Sequence, residues 1–376
     1  MNTNNTQNQV TIVVGLGKSG IGAAKLLNSE GEKVVILEKS EEAKFSGISE
    51  DLRAKGILIE HSKKLELKSF EPWIPYISSV VIGPGIPWDN KTLTQLREKG
   101  IKVKSEISIG WERLNHIPWI GITGTNGKTT VTNMLKHILN ENQTFSLMGG
   151  NVGISAAEIA LKCNKECNHQ PEYLIMELSS YQLETSSEIE PFIGIWTTFT
   201  PDHLERHKSI DRYFNIKKKL LDKSSFSIYN KDDKYLYRKR LALKEGSWVS
   251  TKGRGGKEFP ANFWINTKGK VCEENNEIFD ASLLEIHGKH NLLNLLLVTA
   301  ACRKIGLSGR QIENGFQSFE GIEHRLERIG FIKSISVFND SKATNYDAAE
   351  IGLKAMQGTL IVIAGGKSKL GNCKGW

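Results

Sequence analysis

The chain has 376 residues, 39% hydrophobic and 24% charged. That composition excludes disorder as the main state, and at roughly 150 residues per domain it predicts two or three domains. Fifty Lys and Arg against 42 Asp and Glu give +8, a bias that suits anionic small ligands and does not imply nucleic acid. The longest charge-free apolar run, residues 292–302, is broken by Asn294 and too short for a bilayer. Residues 1–9 lack the basic and apolar regions of a signal peptide, so a cytoplasmic protein working off the membrane is expected.

No internal repeat is evident. Residues Val10–Val14, Lys33–Leu37, 56–59 and 80–82 read as short buried strands separated by helical or loop segments. Such alternation predicts a parallel sheet covered on both faces. A second alternation begins at Pro118, with a strand at Trp119–Thr123, a loop at 124–128 and a helix at 129–140. In that helix Val131, Met134, Leu135, Ile138 and Leu139 share one face. Residues 173–176 and 192–199 read as further strands, and 224–284 as a small β-rich part. Residues 289–305 predict a buried helix closed by Gly306. After Gly321 come a strand at 335–338, a helix at 347–356 and a strand at 359–363, a βαβ unit. The stretch from Gly321 onward is shorter than a typical domain of roughly 100 residues, so the chain is expected to stop inside its third domain.

Five cysteines at irregular spacing argue against a disulfide framework. Cys163, Cys167 and His169 have no second Cys/His pair at zinc spacing, so no zinc site is expected there. The runs Lys217-Lys218-Lys219 and Arg238-Lys239-Arg240 read first as solvated faces.

The sharpest local signal is Gly124-Thr125-Asn126-Gly127-Lys128-Thr129-Thr130, between a strand and a helix. Glycines let backbone N–H groups turn onto phosphate oxygens, and the helix N-terminus adds its positive end. Lys128 would reach the outer phosphates and the Thr129 hydroxyl would hold Mg²⁺. The strict G-x-x-x-x-G-K-[ST] pattern fails, because Ile122 stands at its first glycine. Glu177 ends an apolar strand, at the sheet edge where ligands sit, and so is a candidate metal ligand. His203 and His207 are four apart, but Leu204 stands where a zincin requires Glu. Gly15-Leu16-Gly17-Lys18-Ser19-Gly20 fits G-x-G-x-x-G, with Glu38 near the ribose-binding position of a dinucleotide fold. Any nucleotide diphosphate could use that turn.

Together these motifs resemble the Mur ligases. The resemblance runs through Gly121-Ile122-Thr123 and the phosphate loop, missing first glycine included. It continues through Gly150-Asn151-Val152-Gly153, residues 177–184, Asp202-His203, residues 290–294, His324-Arg325 and residues 339–345. The last segment lacks the His-Pro or Asn-Pro of sister enzymes and is similar to the D-glutamate-adding branch. The fold implied is α/β with three domains. These are a Rossmann-like domain at 1–112 for the UDP substrate, a central P-loop ATPase-like domain at 113–320, and an incomplete Rossmann-like domain at 321–376 for the amino acid.

The resemblance implies an ATP-dependent ligase of peptidoglycan synthesis, joining D-glutamate to UDP-N-acetylmuramoyl-L-alanine through an acyl phosphate. It implies two Mg²⁺ and a carbamylated lysine. Lys128 and Gly124, Thr125, Asn126, Gly127, Thr129 and Thr130 would hold ATP phosphates; Asn291 and Asn294 would meet adenine, and Arg325 and Asp340 would complete the nucleotide site. Thr129 and Glu177 would serve one metal, His203 and carbamylated Lys217 the other side. Carbamylation needs the neutral amine, which burial among cations favours, and Lys218 leaves the register open by one. Gly17, Lys18, Ser19, Gly20, Gly83, Pro84 and Gly85 would contact the UDP substrate, with Glu38, Lys39 and Ser40 at uridine. Asn151, Ser179 and Gln182 would complete its site, and Lys342 and Thr344, with Lys369 a weaker candidate, would bind D-glutamate. A monomer acting without nucleic acid or membrane is implied.

Three rival readings remain: an NAD-dependent oxidoreductase built on residues 15–20, a nucleotide-binding fragment without catalysis, and another Mur-type or folate-type amide ligase. A chain stopping in its third domain is expected to bind nucleotides but to turn over poorly or not at all.

Overall fold

The structure, a computed structural model, describes residues 9–166, 170–283, 290–344, 346–356 and 358–365. The predicted features at Cys167, His169, Lys369 and Cys373 lie outside them. Two compact units are present: the first holds the residues up to Thr123 with 144–195 and 201–227, the second 124–143, 196–200 and the residues from Ile228.

In the first unit, β1 (Val10–Val14), β2 (Lys33–Leu37), β3 (Leu58–Glu60), β4 (Ile77–Ile82) and β5 (Lys102–Ser105) form an all-parallel sheet ordered β3-β2-β1-β4-β5. β1, β2 and the end of β4 are buried on both faces, as covered parallel strands must be, and Ile12, Val35, Leu37, Phe70, Val80 and Ile82 make one core. Strand order reverses at β1, so the loops following β1 and β4 flank the crevice where such sheets take ligands. The same unit carries β6 (Trp119–Thr123), β7 (Ser146–Gly150) and β8 (Tyr173–Glu177), parallel in the order β6-β8-β7. Ile122 and Gly150 both register on Glu177. Helix Ile210–Lys223, capped by Ser209, buries Tyr213, Phe214, Ile216, Leu220 and Leu221, and Leu220 lies against Gly121 of β6.

β9 (Ile193–Trp196) ends earlier than the sequence suggests. Helix Lys128–Glu141 packs on helix His290–Ile305 in the second unit. The latter is buried nearly all round and ends at Gly306, at φ +106°. β10 (Phe226–Asn230), β11 (Ser247–Ser250) and β12 (Phe263–Ile265) run parallel, and β13 (Lys270–Glu273) and β14 (Asn276–Asp280) add antiparallel strands. This matches the expected β-rich part.

The last block differs from expectation. β15 (Glu327–Ile332) and β16 (Ile335–Asn339) form an antiparallel hairpin, followed by helix Tyr346–Ala355. A bulge between Arg328 and Gly330 interrupts the alternation that would reveal β15. Residues 359–363 form no strand. A strand exists through its pairing, and none pairs with them among the described residues. No helix among those residues is long and apolar enough to cross a membrane.

Candidate active site

The phosphate loop joins β6 to helix Lys128–Glu141, as its sequence predicts. Gly124 and Gly127 adopt φ of +148° and +87°, which side chains resist. A Cβ on Gly124 would stand 2.0 Å from Thr197 Oγ1, and one on Gly127 2.9 Å from Asn294 Oδ1. Glycine is therefore required twice, for conformation and for space. Thr125 N–H donates to Thr198 O at 2.8 Å and Asn126 N–H to Thr198 Oγ1 at 2.9 Å. Thr197 and Thr198 hydroxyls donate to Asn126 O, and the Thr125 hydroxyl to Thr200 O at 3.0 Å. This is why the strand expected over 192–199 stops at Trp196: the backbone and hydroxyls beyond it serve the loop. Lys128 Nζ donates to Gly124 O at 3.0 Å and Thr125 O at 2.9 Å, which places the cation over the loop. Asn291 and Asn294 are buried and joined at 3.1 Å, with Asn294 against Gly127. A narrow glycine cradle with a lysine above it at a helix N-terminus fits a polyphosphate.

In the first unit, Glu177 is buried at the end of β8 and its Oε1 accepts from Asn151 Nδ2 at 2.8 Å. Asn151 N–H donates to Glu177 O at 2.8 Å, so Asn151 grips the acid at both its backbone and side chain. Lys217 is also buried, 1% exposed, and its Nζ donates to Thr123 Oγ1 at 3.2 Å. Thr123 Oγ1 in turn donates to Leu178 O at 2.9 Å. Lys218 is paired with Asp222 four residues on, and Lys219 is exposed. Burial therefore singles out Lys217 from the run, and the solvated reading holds for the other two. No group of three or more His, Cys, Asp or Glu able to hold a metal occurs among the described residues. Glu177, a single buried acid at a strand end, fits Mg²⁺ held by one or two carboxylates together with waters and phosphate oxygens.

His203 takes a left-handed conformation, φ 54°, ahead of the short helix Leu204–His207. Its Nδ1 lies 3.2 Å from the Tyr181 hydroxyl and its Nε2 3.5 Å from Asp202 Oδ2. Ser179 and Gln182 form a capping box on helix Ser180–Glu184, so their side chains already serve each other there. Arg206 binds Glu184 at 2.5 Å and donates to Gly85 O at 3.3 Å and Ile86 O at 3.0 Å. It thereby holds the Gly83-Pro84-Gly85 turn to this helix.

At the first fingerprint, helix Lys18–Ser29 starts after Gly17, and a Cβ on Gly20 would sit 2.0 Å from Gly15 O. Gly17 and Lys18 are exposed and Ser19 half-buried. The Glu38 carboxylate accepts from Leu16 N–H at 2.7 Å and Ser40 N–H at 2.8 Å. Burial works to raise its pKa, but those backbone donors win and hold it low. Oε2 thus fastens the Gly15–Gly20 loop and Oε1 the turn that follows Glu38 itself. Farther on, Asp340 Oδ1 accepts from Leu326 N–H at 3.2 Å, and burial raises its carboxyl pKa against the opposing pull of that bond and Arg325. Lys342 and Thr344 are exposed. Thr123, Tyr181 and His207 carry contacts that the sequence did not assign: Thr123 and Tyr181 lie within matched motifs without a role of their own, and the i, i+4 spacing of His207 was read only as a zinc motif.

Residues 122–302 match the Mur ligase middle domain. A Prochlorococcus marinus UDP-N-acetylmuramoylalanine--D-glutamate ligase is 54% identical over 98% of this chain and 78% of its own length. A Synechococcus relative of the same name is 51% identical over 98% and 80%. Among solved structures, the UDP-N-acetylmuramate-alanine ligase of Thermotoga maritima superposes with a TM-score of 0.57 at 21% identity, covering 92% of this chain and 77% of that one. This last likeness speaks for the fold. The chain therefore belongs to the Mur ligases, in the UDP-N-acetylmuramoylalanine--D-glutamate ligase family.

Proposed function

We infer that the chain is an ATP-dependent ligase that adds D-glutamate to UDP-N-acetylmuramoyl-L-alanine in peptidoglycan synthesis. The observation that carries this is the 54% identity over 98% of the chain to a relative so named. The substrate carboxylate is activated by phosphoryl transfer from ATP; the D-glutamate nitrogen then attacks the acyl carbon, the C–O bond to phosphate breaks, and the amine loses its proton. Both steps gather negative charge, so fixed cations and backbone donors dominate the catalysis.

Within that reading the phosphate loop, residues 124–130, cradles the triphosphate and Lys128 neutralises its outer oxygens. Thr129 and Glu177 would hold one Mg²⁺, and His203 and a carbamate on Lys217 the second. Asn291 and Asn294 would face adenine, and Arg325 and Asp340 complete the nucleotide site. Gly17, Lys18, Ser19, Gly20, Gly83, Pro84, Gly85, Asn151, Ser179 and Gln182 would shape the UDP-substrate site, and Lys342 and Thr344 would receive D-glutamate. The proposed division remains 1–112, 113–320 and 321–376, in a cytoplasmic monomer that needs no nucleic acid. Mass analysis after incubation with Mg-ATP and UDP-N-acetylmuramoyl-L-alanine tests this. D-Glutamate gives an adduct one glutamyl residue heavier, and L-glutamate does not; equal products from both, or none from either, would reject it.

A further inference from the structure

His207 has no role in the assignments above, yet it sits where they converge. It is fully buried, 0% exposed. Its Nε2 lies 2.9 Å from Ser180 Oγ. Its Nδ1 has no hydrogen-bond partner and stands 3.9 Å from Glu184 Oε1. One face stacks on Tyr213, with centroids 5.4 Å apart and planes at 27°, and the Tyr213 ring lies 4.9 Å from Lys217 Nζ. On another side the Tyr181 ring is 5.6 Å away, and the Tyr181 hydroxyl reaches His203 Nδ1 at 3.2 Å. One imidazole thus backs two separate supports, Tyr213 beneath Lys217 and Ser180-Tyr181 beside His203.

A buried polar ring with a nitrogen unpaired costs free energy that a leucine would not. Packing alone does not account for it.

We propose that His207 is a positioning residue that sets Lys217 through Tyr213 and His203 through Ser180 and Tyr181. The inference rests on the reading of Lys217 and His203 as metal-side residues. Its two arms separate chemically. His207→Phe keeps an aromatic face and loses the Ser180 bond. His207→Gln keeps a polar terminus near Nε2 and loses the stacked face. His207→Leu loses both.

The test uses the full chain and readouts apart from turnover. Lysine carbamate is measured by ¹³C NMR after equilibration with ¹³C-bicarbonate, and Mn²⁺ binding in the presence of ATP by electron paramagnetic resonance. His207→Leu should lower the carbamate signal at least threefold and weaken Mn²⁺ binding about tenfold. His207→Phe should keep the carbamate and weaken Mn²⁺ binding, whereas His207→Gln should lower the carbamate and, because the carbamate is itself read as a metal ligand, weaken Mn²⁺ binding with it. If His207→Leu does not fold, the Phe and Gln pair carries the test, because a purely structural histidine would change the carbamate alike in both. Unchanged readouts in all folded variants, or equal carbamate in Phe and Gln, overturn the inference. Lys217→Ala and His203→Ala are run beside them. If these abolish the carbamate and weaken Mn²⁺ binding while His207 variants match wild type, only this inference falls. A wild-type chain with no carbamate, or a Lys217→Ala chain that keeps it, removes the underlying reading too.

Discussion

Lys217 differs from its two neighbours in being buried within the chain, on the face of helix Ile210–Lys223 that also carries Tyr213, Leu220 and Leu221. That placement was legible: residue 217 lies four after Tyr213 and three before Leu220, the spacing of one helical face. Reading the run as a block of charge concealed it. Lys217→Ala should lower kcat by roughly 100-fold or more, the scale of losing one preorganised electrostatic group. Lys218→Ala and Lys219→Ala should stay within about twofold, since exposed ion pairs contribute little. Equal losses at all three positions in steady-state kinetics would contradict the assignment. Glu106 was not legible, because no motif marks a lone acid opening helix Glu106–Leu114. Burial pushes its carboxyl up to about 7, opposed first by the Ala157 N–H, which donates to it at 2.7 Å, with Glu158 adding repulsion and Ser19 a further hydrogen bond. Its ordinary value is near 4.5, so between pH 4.5 and 7 the folded chain holds more protons than the unfolded one. The stability this group contributes is present below pH 4.5 and is lost as pH rises through 7, by up to about 3 kcal/mol. Glu106→Gln keeps the acceptor and removes the charge. It should stabilise the chain by about 1–3 kcal/mol at pH 8 and almost nothing at pH 4.5 in urea titrations. An equal gain at both pH values would count against this account.

At the scale of elements, the parallel strands, the phosphate loop and the two long helices could be read from apolar runs and period. Where reading failed, another demand on the backbone prevailed. Thr197-Thr198-Phe199-Thr200 has strong strand propensity, yet its carbonyls and hydroxyls hold the phosphate loop. β15 escaped because Gly330 and its bulge break the alternation, and 359–363 read as a strand on composition alone. The loop and its threonine segment thus act as one element, and two changes test that. Gly124→Ala places a Cβ 2.0 Å from Thr197 Oγ1 at a φ of +148°. It should weaken ATP binding at least tenfold by calorimetry, the loop having to shift. Thr197→Val removes the hydroxyl bond to Asn126 O and should cost about 1 kcal/mol of stability, with a smaller loss of ATP affinity than Gly124→Ala. If Gly124→Ala binds ATP as wild type does, the loop is not the phosphate cradle.

For the whole molecule, two Gly-rich turns follow parallel strands and differ in what holds them. The first, at Gly15-Leu16-Gly17, has Glu38 fastened to it, and the second, at Gly124 to Lys128, has a lysine above it. The sequence alone could not separate nicotinamide from UDP at the first turn, because G-x-G-x-x-G specifies a backbone shape that any nucleotide diphosphate could use. The family, by contrast, was legible because several motifs occur in order along nearly the whole chain. The most direct test of the ligase account is phosphate release from Mg-ATP by the 376-residue chain, measured with UDP-N-acetylmuramoyl-L-alanine and with D-glutamate present or omitted. Release that requires the UDP substrate and rises when D-glutamate is added is the predicted result. Release indifferent to both, or none with both present, would contradict it.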